Sequence, residues 1–153
     1  MRYLDGDTVA AILRGAISIK HQQHRYETDL TANSIFRIIG PGAVDFGGSE
    51  EQPAPSEAIP PEKRSPEDKF GWWELAPGTY VLRFNEVAEL TDSQVGFVQP
   101  HERLVRAGAT HPSYYFREVR EALETGLVVG GGGVRIKQNA RVSKLLVLEL
   151  GVD

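Results

Sequence analysis

Apolar and polar positions change rhythm several times along the chain, and each change predicts an element. Between Asp7 and Arg14, Val9, Ile12 and Leu13 share a helical face. Asp5 or Asp7 stands where a cap is needed, and Gly15 offers a left-handed stop, so a short N-terminal helix is expected. Ala16, Ile17, Ser18, Ile19 and Lys20 alternate, which predicts a strand. Further strands are expected at Trp72–Leu75, Thr79–Phe84, Val95–Val98, Leu127–Val129, Val134–Lys137 and Lys144–Leu150, with turns at Pro77-Gly78 and along Gly130–Gly133. Many short strands broken by glycine and proline point to a mainly β barrel or sandwich. Tyr115–Thr125 conflicts with that pattern. Phe116, Val119 and Leu123 fall at helical spacing before Gly126, so local signals predict a helix where a β architecture asks for extended chain.

Residues 40–69 have a different character. Six of the nine prolines lie there, with Gly42, Gly47, Gly48 and many carboxylates. Such a stretch has little apolar surface to bury, so it is expected to be a long surface excursion, weakly ordered. The whole chain of 153 residues has the length of one domain, 1–153. A formal charge of −4 supplies no basic field, which disfavours a nucleic-acid partner. The absence of cysteine excludes disulfides, thiolate nucleophiles and cysteine–zinc sites, and favours a cytoplasmic protein. No apolar run approaches a membrane span, so no membrane partner is expected.

Specific blocks carry more. They are E-T-D-L-T-A-N-S-I-F-R-I from Glu27, then G-P-G-A-V-D-F-G-G from Gly40, and L-A-P-G-T-Y-V-L-R-F-N-E-V from Leu75. Q-P-H-E-R-L-V-R-A-G-A-T from Gln99 and N-A-R-V-S-K-L from Asn139 complete the series. In this order they resemble the dUTPase and dCTP deaminase superfamily, most closely its archaeal-type dUTPase-related members. The resemblance implies a distorted β-barrel (the dUTPase-like β-clip), a homotrimer, a pyrimidine deoxynucleoside triphosphate as ligand, and Mg²⁺ brought in by that nucleotide.

The same comparison implies an altered site. His101, Glu102 and Arg103 stand where the family has Arg-Ser-Ser, exchanging two hydroxyl donors for a carboxylate and a guanidinium. Arg141 matches the family's arginine, and Lys144 stands where glutamine is usual. These five are the candidate nucleotide-binding residues. The base-reading hairpin, with its aspartate and glycine, is replaced near Tyr115–Arg120, leaving Glu118 or Glu121 as substitute bases. Glu124 is the one loose match to a deaminase's proton-shuttling glutamate. The expected function is a dUTPase-related protein that binds nucleotide with weak or lost dUTP diphosphohydrolase activity. A non-catalytic trimeric scaffold is the alternative, and a dCTP deaminase ranks below both.

Other residues invite sharper readings than they support. His21, His24 and Glu27 have metal-compatible spacing, but their polar setting favours a solvated strand end. Gly130–Gly133 lacks the Lys-Ser or Lys-Thr of a phosphate cradle and is better explained as a hairpin turn. Trp72 and Trp73 are expected to anchor the excursion rather than stack a base. Asp29 fits a structural hydrogen-bonding role as well as a functional one, and His101 and His111 flank the altered site. Arg103, Arg106, Arg117, Arg120, Arg141 and Lys144 would bind a polyphosphate only if they converge.

Overall fold

The structure, a computed structural model, describes residues 1–117 and 121–151. In chain order the described elements are β1 (Arg2–Tyr3), α1 (Gly6–Ile12), β2 (Leu13–Arg14), α2 (Ile19–Gln22), β3 (Thr28–Ile38), β4 (Ser56–Ala58), β5 (Trp72–Leu75) and β6 (Gly78–Phe84). They continue with β7 (Val87–Ala88), β8 (Gln94–Pro100), α3 (Glu102–Ala107), β9 (Ala109–Thr110), β10 (Tyr114–Phe116), β11 (Glu124–Val129), β12 (Val134–Lys137) and β13 (Arg141–Glu149). The main sheet runs β10-β8-β13-β3-β6-β11-β9, with β1 added to β13 and β4 to β3. It curls into a half-barrel, and β12-β5 and β2-β7 form two small sheets beside it. The fold is the mainly β architecture the sequence pattern implied. None of the described helices is long and apolar enough to cross a membrane.

The core follows the period of two. Leu30, Ala32, Leu82, Phe84, Val98, Leu127, Leu145 and Val147 all turn inward from the main sheet, and Trp73 closes the barrel from β5. The N-terminal half of β3 is buried on both faces, because α1 and α2 pack over its outer side. Helix α1 forms where expected, with the Asp5 carboxylate accepting from Thr8 N at 2.9 Å. It ends at Leu13 rather than at Gly15, whose φ of +81° serves the next bend.

Two sequence expectations are corrected, and one open conflict is decided. Ala16–Lys20 is not a strand. The Gln22 side chain reaches back so that its Oε1 accepts from Ile17 N and Ser18 N, both at 2.8 Å, and Ile19 starts α2. The alternation is real, but a side chain has taken the backbone donors a strand partner would need. At Tyr115–Thr125, where helical spacing and the β pattern conflicted, the described chain begins and ends in strand, while residues 118–120 lie outside the described residues. Tyr114–Phe116 pairs instead with Val98, Phe97 and Gly96, and Glu124 begins the pairing of β11 with β6. Phe116 is buried against Gly96, a packing gain that outweighs helix propensity. Finally, Gly130–Gly133 does not join a hairpin. β11 pairs with β6 and β9, whereas β12 pairs with β5, so the glycines turn a corner between sheets. Gly133 has φ +72°, and a Cβ there would lie 2.9 Å from Leu75 O.

The excursion is better ordered than its composition suggests. β4 adds to β3, Ala43 pairs with Gln52, Glu62 pairs with Trp72, and Trp73 Nε1 donates to Ile59 O at 2.8 Å. Backbone pairing supplies the order that apolar burial cannot. Trp73 is thus the expected anchor.

Two predictions follow from the core. A Cβ at Gly96 would lie 2.5 Å from the Phe116 ring, so Gly96→Ala should cost about 1–3 kcal/mol in urea unfolding, partly recovered by adding Phe116→Leu. His111 is buried, its Nδ1 donating to Pro112 O at 2.9 Å and its Nε2 accepting from Ser143 Oγ at 2.7 Å. Burial holds this imidazole below the ordinary 6.5, so the unfolded chain takes up the proton first as pH falls. The stability His111 contributes is therefore complete above pH 6.5 and is lost below it. Urea midpoints of the parent should drop between pH 6.5 and about 5, and His111→Gln should show a shallower drop.

Candidate functional site

Three strands carry the site on one face of the sheet. Asp29 on β3, Lys144 on β13 and Gln99 on β8 stand in register, so their side chains share a side, and His101 follows Gln99 by two. Arg141 precedes Lys144 by three residues, a spacing that would put it on the opposite face of a regular strand. A register shift between Arg141 and Ser143 reverses this: Arg141 pairs with Thr31, and both cations face the same way.

Asp29 is the centre. Its side chain is 0% exposed, yet it lies among three nitrogen groups. Oδ2 receives Arg141 Nη1 at 3.2 Å and lies 3.0 Å from His24 Nε2. Oδ1 has no hydrogen-bond partner and faces His101 Nε2 at 3.5 Å. Arg141 Nη1 also donates to His21 O at 3.0 Å, which ties α2 to the same carboxylate.

A second cluster lies alongside. Lys144 Nζ contacts Glu102 Oε1 at 2.7 Å and Glu27 Oε2 at 3.1 Å. Burial alone would depress this ammonium, but the two carboxylates outweigh it and hold the lysine above its ordinary range. In return the hydrogen bond from Lys144 lowers Glu102 to about 2. Glu102 opens α3, where His101 is the cap: its Nδ1 accepts from Arg103 N at 3.2 Å. That bond places the neutral ring's hydrogen on Nε2, toward Asp29. Burial lowers the His101 pKa, Asp29 pulls it up, and Lys144 and Arg103 push it down again, with a net fall.

Behind the face runs a polar network that sequence reading missed. Glu86 is fully buried and accepts from Thr31 N at 2.9 Å, from Thr31 Oγ1, and from Gln22 Nε2 at 2.8 Å. Burial raises its pKa against those hydrogen bonds. Gln22 Nε2 also donates to Asp29 O at 2.8 Å, so one amide bridges the two carboxylate residues. Asn85 Nδ2 donates to Thr31 Oγ1 and to Asn139 Oδ1, both at 2.9 Å, and Asn139 has φ +64°. A lone acid between Phe84 and Val87 was the available signal. A cleft of about 330 Å³ opens here, lined by Ile17, Ser18, His21, Thr31, Asn139 and Arg141 among others.

The structure therefore brings His101, Glu102, Arg141 and Lys144 together and adds Asp29, His24 and Glu27. Arg103 joins through its backbone and its charge on His101. Glu118 and Arg120 lie outside the described residues. Glu124 is elsewhere: it pairs with Arg83 across β11 and β6, at 3.2 Å. Arg117 turns to Asp92 O, so the cations do not converge as a set. Among the described residues no group of three or more histidines and carboxylates is arranged to hold a metal ion. Of the His21, His24 and Glu27 spacing, His24 is engaged with Asp29 and Glu27 with Lys144.

No protein-family model matches the chain. Among curated proteins, a probable deoxyuridine 5′-triphosphate nucleotidohydrolase of Methanosarcina barkeri is 32% identical over 145 residues, covering 94% of this chain and 81% of the relative. The protein of the same name from Methanosarcina mazei is 31% identical over 144 residues, covering 93% and 81%. That of Archaeoglobus fulgidus is 27% identical over 158 residues, covering 98% and 89%. Among solved structures, the 2′-deoxycytidine 5′-triphosphate deaminase of Agrobacterium tumefaciens superposes with a TM-score of 0.67 at 11% identity. It matches 97% of this chain, which spans about half (48%) of that larger protein, and shows the common fold. With this near-complete coverage at 31–32% identity, the chain belongs to the dUTPase family.

Proposed function

We propose that this member of the dUTPase family binds a pyrimidine deoxynucleoside triphosphate and has little or no dUTP diphosphohydrolase activity. It would work as a single dUTPase-like domain, residues 1–153, in a cytoplasmic homotrimer. One observation carries the reading: the Lys144 ammonium is already neutralised by Glu102 and Glu27, at 2.7 and 3.1 Å. Glu102 occupies the block where the family offers hydroxyl donors, so an incoming phosphate meets a carboxylate instead. Glu124, the loose match to a deaminase's proton-shuttling glutamate, is bound to Arg83 across β11 and β6.

The residues do not favour a protein-held Mg²⁺. Asp29 is enclosed and engaged by Arg141, while Glu27 and Glu102 face an ammonium. A Mg²⁺ ion would enter chelated by the triphosphate, where it would neutralise phosphate charge. In this arrangement Arg141 and the His101 edge bind and orient, and Lys144 is released to phosphate only when its carboxylates let go.

Purified protein mixed with dUTP or dCTP and Mg²⁺ should release pyrophosphate slowly or not at all, and no ammonia. The melting temperature should nevertheless rise with one of these nucleotides. Rapid pyrophosphate release from dUTP would overturn the proposal, and no thermal shift with either nucleotide would favour the scaffold alternative. Glu102→Ser removes the opposing carboxylate and should tighten nucleotide binding about tenfold in the same titration.

A further inference from the structure

His101 lies between the two charged clusters and touches a carboxylate of each. Its Nε2 faces the enclosed Asp29 Oδ1 at 3.5 Å, and its Nδ1 lies 3.3 Å from Glu102 Oε2. The other oxygen of that glutamate, Oε1, holds Lys144 Nζ at 2.7 Å. One carboxylate therefore stands between an ammonium and an imidazole. A second, Asp29, keeps an oxygen without a hydrogen-bond partner beside the same ring.

The neutral ring serves neither acid well. Its Nδ1 accepts from Arg103 N at 3.2 Å and so offers Glu102 a lone pair, while 3.5 Å to Asp29 is long for a hydrogen bond. A proton from solvent reverses this, because both nitrogens then donate: Nδ1–H to Glu102 and Nε2–H to Asp29, with the cap bond from Arg103 given up. Around the ring stand Asp29 of β3, Lys144 of β13, and Glu102 and Arg103 of α3. Arg141 and His24 act on it through Asp29, and Glu27 through Lys144. In the free protein, burial and the two nearby cations prevail over the acids and keep the ring neutral. A triphosphate on Lys144 would change both sides of that balance. It cancels the ammonium's repulsion, and it leaves the Glu102 carboxylate free to turn to the imidazole.

We infer that polyphosphate binding at this site takes up one proton at His101, whose imidazolium takes over Glu102 and releases Lys144 to the anion. The inference rests on the nucleotide-binding reading above and names what gates it. Because linkage is reciprocal, an anion that favours the proton is itself held more tightly as pH falls. His24, the other imidazole on Asp29, has no such part, since it serves Oδ2, the oxygen Arg141 already meets.

Calorimetry of the full chain with dUTP or dCTP, in buffers of different ionisation enthalpy near neutral pH, should show about one proton taken up per nucleotide bound. Affinity should rise about tenfold from about pH 8 to about pH 7. Both effects should vanish in His101→Gln, which keeps an acceptor for Arg103 N but cannot ionise, and persist in His24→Gln. In isotope-labelled parent protein the His101 ring should titrate at higher pH with nucleotide bound than without, a reading that needs no variant. Nucleotide binding with pH-independent affinity and no proton uptake overturns the His101 coupling alone and leaves the binding reading standing. Uptake that survives His101→Gln, or is lost in His24→Gln, also overturns the coupling. Failure of both nucleotides to bind at any pH in this range overturns the coupling and the binding reading together.

Discussion

A carboxylate sealed from water governs this half of the molecule. Asp29 sits at the start of the longest strand with both faces covered, so its charge must be met by neighbours rather than solvent. Arg141 meets it from β13, His24 from the segment after α2, and His101 from the cap of α3. Each of these elements is therefore held at a fixed distance from β3 by an electrostatic requirement as much as by packing. Gln22 adds the link to Glu86, so the helix, the sheet and the second buried acid form one hydrogen-bonded unit.

That unit stands apart from the charged cluster beside it. The scaffold charges point inward, toward Asp29 and Glu86. Glu102 and Lys144 satisfy one another on the surface side. Lys144 is anchored by two acids without drawing on the Asp29 cluster, so the carboxylate of Glu102 costs the fold little.

The sequence was informative where a single period ruled. β6 and the part of β13 beyond its irregularity were legible as strands, at Thr79–Phe84 and Lys144–Leu150, and Asp5 marked α1. It was misleading where a distant partner decided. Nothing local in Ala16–Lys20 says that Gln22 will take the strand's donors, and nothing in Tyr115–Phe116 says that Gly96 leaves room for Phe116. At the site, His101, Glu102, Arg141 and Lys144 were identifiable by residue type and by resemblance. Their convergence was not, because it depends on an irregularity in β13 that brings positions three apart onto one face. Glu27 and His24 were noticed for their spacing, but their partners, Lys144 and Asp29, were not legible from it.

The place of β13 has a further consequence, for the newborn chain on the ribosome. This strand lies between β3 and β8 and also carries β1, so the middle of the sheet is supplied by residues 141–149. Until they emerge, β3 and β8 each present an open row of amides and carbonyls, and Leu30 and Val98 lack the neighbours Leu145 and Val147 will provide. The barrel consequently cannot close until residues 141–149 are in place, through β13–β3 pairings that span more than a hundred residues.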